Sequence, residues 1–378
     1  MNTVLNSNYF PRLIQEILLS LFNDYDDNYD PYRFGKKEES QTYKGTKLVR
    51  KAIRENLNKN GYFNIQDINE MAINKFENAS WVNYFSFLYD KLEDEESKNL
   101  LIKIVAYRLL GHRKVKLPLN TNTFWKELEI IENKLDKENY IDVEFMNFRL
   151  HYSDLSFLNI PLKLFYTEMG LYIDFFIKQY ELHRPQVYIG AQEGEVVLDG
   201  GGCYGDTALY FANKVGTEGA VHTFEFIPDN IKIFKTNVEL NPDFSSQIKL
   251  VRRPLWSSSN VEVYYKSNGP GSKVEFEKFE GFDDIVKTIS IDDYIEENSL
   301  NKLDFIKLDI EGAELQALKG ATNTIKEFKP KLAIALYHDV KDFYEIPKFL
   351  DELNLGYKFY LLHATIHAEE TMLFAIIN

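Results

Sequence analysis

The stretch VVLDGGGCYGDT, Val196 to Thr207, constrains this chain more than any other. Three apolar residues lead to Asp199, a run of glycines turns the backbone, and Ala208, Leu209, Phe211, Ala212 and Val215 then recur at the spacing of one helix face. The pattern predicts a strand, a tight turn and a helix. Glycine is needed where a turn takes angles that a Cβ hinders, and where a ligand lies against the main chain. At the carboxyl edge of a parallel sheet, such a unit is a site for a nucleotide-type cofactor. A glycine turn with no ligand is the plain alternative, but it leaves the entropic cost of three consecutive glycines unexplained.

Two cofactor classes compete for the loop. Gly200, Gly202 and Gly205 satisfy G-x-G-x-x-G, the dinucleotide fingerprint, with Glu225 at the end of the next expected strand as a ribose partner. Asp206 argues against it, because a pyrophosphate needs the helix N-terminus that this carboxylate occupies. S-adenosylmethionine (SAM) carries a sulphonium and an ammonium and no phosphate, so acids at Asp199 and Asp206 suit it. Read on Asp199, Gly201 and Gly205, the loop is D-x-G-x-x-x-G, the arrangement of SAM-dependent methyltransferases.

The rest of the chain bounds the reading. With 378 residues, 44% of them hydrophobic, two domains are expected, a mainly helical one over 1–155 and an α/β one over 156–378. A single cysteine, Cys203, excludes an internal disulfide, and neither a signal pattern nor a membrane-length apolar run is present, so a cytoplasmic protein is expected. The balance of 44 basic and 58 acidic side chains, net −14, opposes binding to nucleic acid or to an anionic bilayer. Helical spacing marks Leu48–Leu57, Ile65–Phe76, Trp81–Leu92, Ser97–Leu110 and Phe124–Leu135. This half carries no catalytic constellation; packing, covering the acceptor site, or forming a homo-oligomer are its candidate roles. Alternation from Phe145 to Phe157 predicts a strand pair, followed by a helix over Leu171–Leu182 and a short strand over Gln186–Ile189 leading onto the sheet.

Beyond the loop helix, strands are expected over Ala220–Phe226, Lys249–Trp256 and Val261–Lys266, with a helix from Pro228. Trp256 is open between stacking on an adenine and packing in the core. FIKLDIEGAE, Phe305 to Glu314, then brings Asp309 by an apolar strand to the same edge as the glycine loop. With FEFIPDN at Phe224–Asn230, ISIDDYI at Ile289–Ile295 and IKLDIEGAELQALKGA at Ile306–Ala321, the chain resembles the FkbM family of SAM-dependent methyltransferases over about residues 185–378. It departs from the family's usual Ala-Asn at Gly202-Cys203 and from its Phe-Glu-Pro, since Phe226 and Ile227 precede Pro228.

The resemblance implies a doubly wound α/β fold with a seven-stranded, mostly parallel, Rossmann-like methyltransferase sheet. Lys331–Tyr337 supplies a fifth strand, Phe343–Leu353 a helix, and Lys358–Ala364 with Thr371–Ile377 a closing hairpin. Cofactor contacts are expected from Asp199, Gly200, Gly201, Tyr204, Gly205, Asp206, Thr207, Glu225, Phe226 and Trp256. Methyl transfer is an in-line displacement, so the protein must align an acceptor and remove its proton. His338, past the fifth strand, is the expected base, Asp309 orients the base or the sulphonium, and Glu311 meets the acceptor. A divalent metal on Asp309, His338 and Asp339 is the variant mechanism, and His363 and His367 are open between the acceptor pocket and the surface. The expected acceptor is a carbohydrate hydroxyl, on a nucleotide-linked sugar or glycan precursor. A polyketide or other small metabolite, an NAD-dependent oxidoreductase and a non-catalytic SAM-binding module are the alternatives.

Overall fold

A computed structural model describes residues 8–34 and 80–377. The helices expected over Leu48–Leu57 and Ile65–Phe76 lie outside the described residues. Seven strands form the main sheet, numbered here β1 (Val196–Gly200), β2 (Ala220–Phe224), β3 (Ile248–Val251), β4 (Phe305–Leu308), β5 (Lys331–Ala335), β6 (Lys358–His363) and β7 (Thr371–Ile376). Their order is β6-β7-β5-β4-β1-β2-β3. Neighbours from β5 through β4, β1 and β2 to β3 run parallel, and β7 runs antiparallel to β5. The central strands are short apolar runs buried on both faces, as parallel strands covered by helices must be. Helix α1 (Asp206–Val215) joins β1 to β2, and α2 (Pro228–Glu239) follows β2.

From β1 the chain steps outward to β2 and β3, then returns to lay β4 on the other side of β1. The crevice outside the carboxyl ends of β1 and β4 is therefore the point where the strand order reverses, the usual ligand position in an open α/β sheet. The α/β architecture is that expected from the sequence.

The chain divides into two compact units, one of residues within Met1–Phe124, Leu336–Glu352 and Lys358–Thr371, the other within Trp125–Ala335, Leu353–Tyr357 and Met372–Asn378. The boundary expected near residue 155 falls inside the second unit. Strands Asp136–Asp142, Arg149–Asp154 and Lys163–Tyr166 form one antiparallel sheet that runs across it. In the first unit, helix Tyr9–Ser20 buries Tyr9, Phe10, Leu13, Ile14 and Ile17, and Phe85 meets Phe343 with ring centroids 4.7 Å apart. His363 and His367 are buried here, in hydrogen bonds and an ion pair with Thr371 and Asp30 rather than at the surface. Among the described residues no helix is long and apolar enough to cross a membrane.

The second unit departs from the expected elements in three places. The strand pair expected over Phe145–Phe157 is one strand, Arg149–Asp154, between 3-10 turns at Phe145–Asn147 and Leu155–Leu158, and its partners lie outside that stretch. In place of one helix over Leu171–Leu182 the unit has a short helix Glu168–Leu171, a π-turn Tyr172–Ile177 that ends at Lys178 with φ 61°, and strand Leu182–Arg184. That strand pairs with Val187–Ile189 as a hairpin separate from the main sheet. Likewise Glu262–Lys266 leaves the main sheet to pair with Lys273–Glu275 and Asp284–Lys287, so β3 ends at Val251 and Trp256 lies in a loop. Periodicity reads local burial and does not reveal which strand a segment pairs with.

Candidate active site

The glycine loop is held by close packing. Gly201 takes φ 88°, and a Cβ on it would overlap the carbonyl oxygen of Asp309; one on Gly202 would overlap the Thr223 hydroxyl. The Gly201 and Gly202 amides donate to the Phe224 carbonyl at 3.1 and 3.0 Å, and Gly205, at φ 84°, caps α1. Cys203 shares the left-handed region at φ 36°. The loop is thus clamped between the ends of β2 and β4.

Lys307 organises the charge beneath it. This lysine lies inside β4 at 1% exposure, directly opposite Asp199 in the β4–β1 register. Its Nζ lies 3.2 Å from Asp199 Oδ1 and donates to the carbonyls of Gly200 and Gly201 at 3.0 and 2.8 Å. The hydroxyls of Thr207 and Thr223 donate to Asp199 Oδ2 at 2.8 and 2.7 Å. Asp199, wholly buried, therefore faces into the protein, where it ties β1, β2, α1 and β4 together. Burial alone would push the Lys307 ammonium down, but Asp199, Asp309 and Asp206 outweigh it and hold it above its ordinary value.

Around this base the other expected residues fall into distinct places. Glu225 follows β2; its Oε1 accepts from the Phe226 and Ile227 amides at 2.6 and 2.7 Å, and its Oε2 from Asn230 Nδ2 at 3.0 Å. Burial pushes its carboxyl up to about 7 against the pull of those bonds, and they fix its orientation. Asp206 opens α1 at 3% exposure, pushed up to about 6 by burial despite Lys307. The Tyr204 ring packs in a core cluster with Leu150 and Ile233, Phe226 meets Tyr265 edge-on, and Trp256 lies 4.5 Å from Phe276 between centroids, tilted by 47°. Asp309 Oδ2 accepts from the Tyr180 hydroxyl at 3.1 Å. Glu311 is exposed in the next turn at φ 57°, and Glu314 Oε1 closes that turn on the Ile310 amide at 2.7 Å. His338 belongs to the first unit, half-buried, with its ring 4.1 Å from that of Tyr337.

Asp199, Gly201, Asp206, Thr207, Glu225 and Asp309 thus gather at the carboxyl edge of β1, β2 and β4. Sequence reasoning missed Lys307, although a lysine amid the apolar residues of FIKL was the available signal. It also missed Asp174, the single charge in the apolar run LYIDFFI. Asp174 is 2% exposed; its Oδ2 accepts from the Tyr166 hydroxyl and its Oδ1 from Gln179 Nε2, both at 2.8 Å. Burial and the Asp206 charge push it up to about 8.

Residues 189–359 match the methyltransferase FkbM domain. That region is similar to FkbM methyltransferase domains. A relative is the hexuronic acid methyltransferase AglP of Haloferax volcanii, 29% identical over 166 residues that make up 44% of this chain and 65% of AglP. The crystal structure of the methyltransferase FkbM from Methylobacillus flagellatus is similar with a TM-score of 0.49 and 20% identity, over 79% of this chain and 60% of that one. A fibrillarin from Aeropyrum pernix, in complex with natively bound SAM, gives a TM-score of 0.31 and 14% identity, over 49% of this chain and 67% of that one. The chain therefore spans less than two thirds of the length of AglP and of the M. flagellatus protein. The glycine loop, Glu225, Lys307, Asp309 and His338 lie inside the matched region, whereas Tyr166, Asp174, Gln179 and Tyr180 precede it.

Proposed function

We propose that the chain is a SAM-dependent O-methyltransferase acting on a carbohydrate hydroxyl, on a nucleotide-linked sugar or glycan precursor. The observation that carries the cofactor is the charge of the loop site. Asp206 and Asp309 stand at the strand-order reversal, while Lys307 is committed to Asp199 and to two loop carbonyls. A pyrophosphate there would meet carboxylates, whereas a ligand with a sulphonium and an ammonium meets countercharge. Glu225, fixed by three hydrogen bonds, is the ribose partner. The sugar acceptor is supported by AglP, whose name assigns it a hexuronic acid.

SAM supplies an electrophilic methyl group on a positive sulphur. Bound in this site, it would offer that methyl to an acceptor oxygen aligned behind it, and the protein would have to take up the hydroxyl proton on a base. His338, three residues beyond β5, is the proposed base; Asp309 orients it or the sulphonium, and exposed Glu311 meets the sugar. A base of this kind contributes about 10² to 10⁴ in rate. The test is transfer of labelled methyl from SAM to a panel of nucleotide sugars, with and without EDTA. His338→Ala should lower turnover about 10² to 10⁴-fold with S-adenosylhomocysteine binding unchanged. Unaltered turnover in that variant sinks the base, loss of activity in EDTA favours the metal on Asp309, His338 and Asp339, and no transfer to any sugar removes the acceptor class.

A further inference from the structure

The segment just upstream of the matched region carries a buried polar set that the loop motif does not account for. Tyr166 and Gln179 each donate to Asp174, and Gln179 Nε2 reaches the Tyr180 hydroxyl at 2.9 Å, which in turn donates to Asp309. The π-turn Tyr172–Ile177, a rare widening that recurs at functional sites, holds Asp174 in this position. Asp174 feels the charge of Asp206, and both feel Lys307. Asp199, Asp309, Asp206 and Asp174 thus surround a single ammonium. Lys307 balances Asp199, and the set as a whole is short of positive charge.

A second observation is independent of the acids. Gln179 is 4% exposed, its amide nitrogen is spent on Asp174 and Tyr180, and its Oε1 has no hydrogen-bond partner among the described residues. Asp206 Oδ1 is equally buried, and this one oxygen meets no donor at hydrogen-bond distance among the described residues. Buried acceptors left over in this way call for a donor, since burial has removed the water that would otherwise satisfy them. A neutral donor such as water would meet the acceptors and leave the charge unbalanced. A primary ammonium brings three N–H groups and one positive charge together.

We propose that Asp174, Gln179 and Asp206 form the seat of the α-ammonium of the cofactor's amino-acid end, so that recognition of this end depends on residues before the matched region. The inference rests on the SAM reading above. Titration calorimetry of the full chain with S-adenosylhomocysteine and with 5′-methylthioadenosine, which lacks the amino-acid end, tests it. Asp174→Asn keeps the side-chain volume and removes the acid, so that no carboxylate can form against the ammonium. It should weaken S-adenosylhomocysteine at least tenfold and leave methylthioadenosine unchanged, and Gln179→Met should give a smaller loss with the same selectivity. Equal weakening of both ligands, or no change in either, overturns the seat. If Asp174→Asn does not fold, Gln179→Met decides by the same criterion. Failure of the unmodified chain to bind S-adenosylhomocysteine would instead strike the cofactor reading.

Discussion

Lys307 shows how much one side chain can settle. A lysine ordinarily belongs on the surface, yet this one is 1% exposed because a carboxylate and two carbonyls replace its water. Lys307→Met removes the countercharge and strands Asp199, so unfolding in urea should show a loss of roughly 3–5 kcal/mol; a change below about 1 kcal/mol would mean that the pair does not hold these strands together. Asp174 sets a pH dependence. Tyr166, Gln179, Asp206 and Lys307 act on it, and burial raises it to about 8, so the folded chain keeps a proton that the unfolded chain releases near its ordinary carboxylate range. Stability from this proton is present at low pH and fades as pH rises through about 8. Glu225, at about 7, adds to the lower edge of that window. Buried His222 and His363, held down to about 4 and about 3, act with the opposite sign, but only as pH falls below the usual histidine range. The melting midpoint of the ligand-free chain should therefore drop between pH 7 and 8.5, and drop less in Asp174→Asn; identical profiles for the two proteins would place the titration elsewhere.

Among elements, the glycine loop is a fitted part. The adjoining strand end leaves no room at Gly201, and its φ of 88° suits glycine alone. Gly201→Ala combines backbone strain of about 1–3 kcal/mol with displacement of Asp309, and S-adenosylhomocysteine binding should weaken at least tenfold. Calorimetric affinity equal to that of the unmodified chain would show that the loop relaxes freely. Most of these elements were legible in the sequence. An apolar run such as Phe305–Leu308 has to be an interior strand, and Gly205 followed by helical spacing has to start α1. The π-turn was not, because its residues, YIDFFI, have the spacing of an ordinary helix. The outward hairpin of Glu262–Lys266 was not either, because strand pairing is a choice among distant partners.

For the whole molecule, ligand binding and folding are linked. S-adenosylhomocysteine at 100 times its dissociation constant should add about 2.7 kcal/mol to the folded state, seen as a raised melting midpoint, with NAD giving none. A shift with NAD alone would reverse the cofactor assignment. The sequence by itself determined the strand-loop-helix at Val196–Val215, the acids at the strand ends and the FkbM motifs, because these are local patterns whose spacing carries their meaning. The tertiary structure alone decided that Lys307 stands opposite Asp199, that Asp309 meets Tyr180, and that Asp174 joins Asp206 in one buried set. The physical reason is range. Periodicity fixes which face of an element is buried, whereas the partner of a buried charge is fixed by register and packing between segments far apart in the chain.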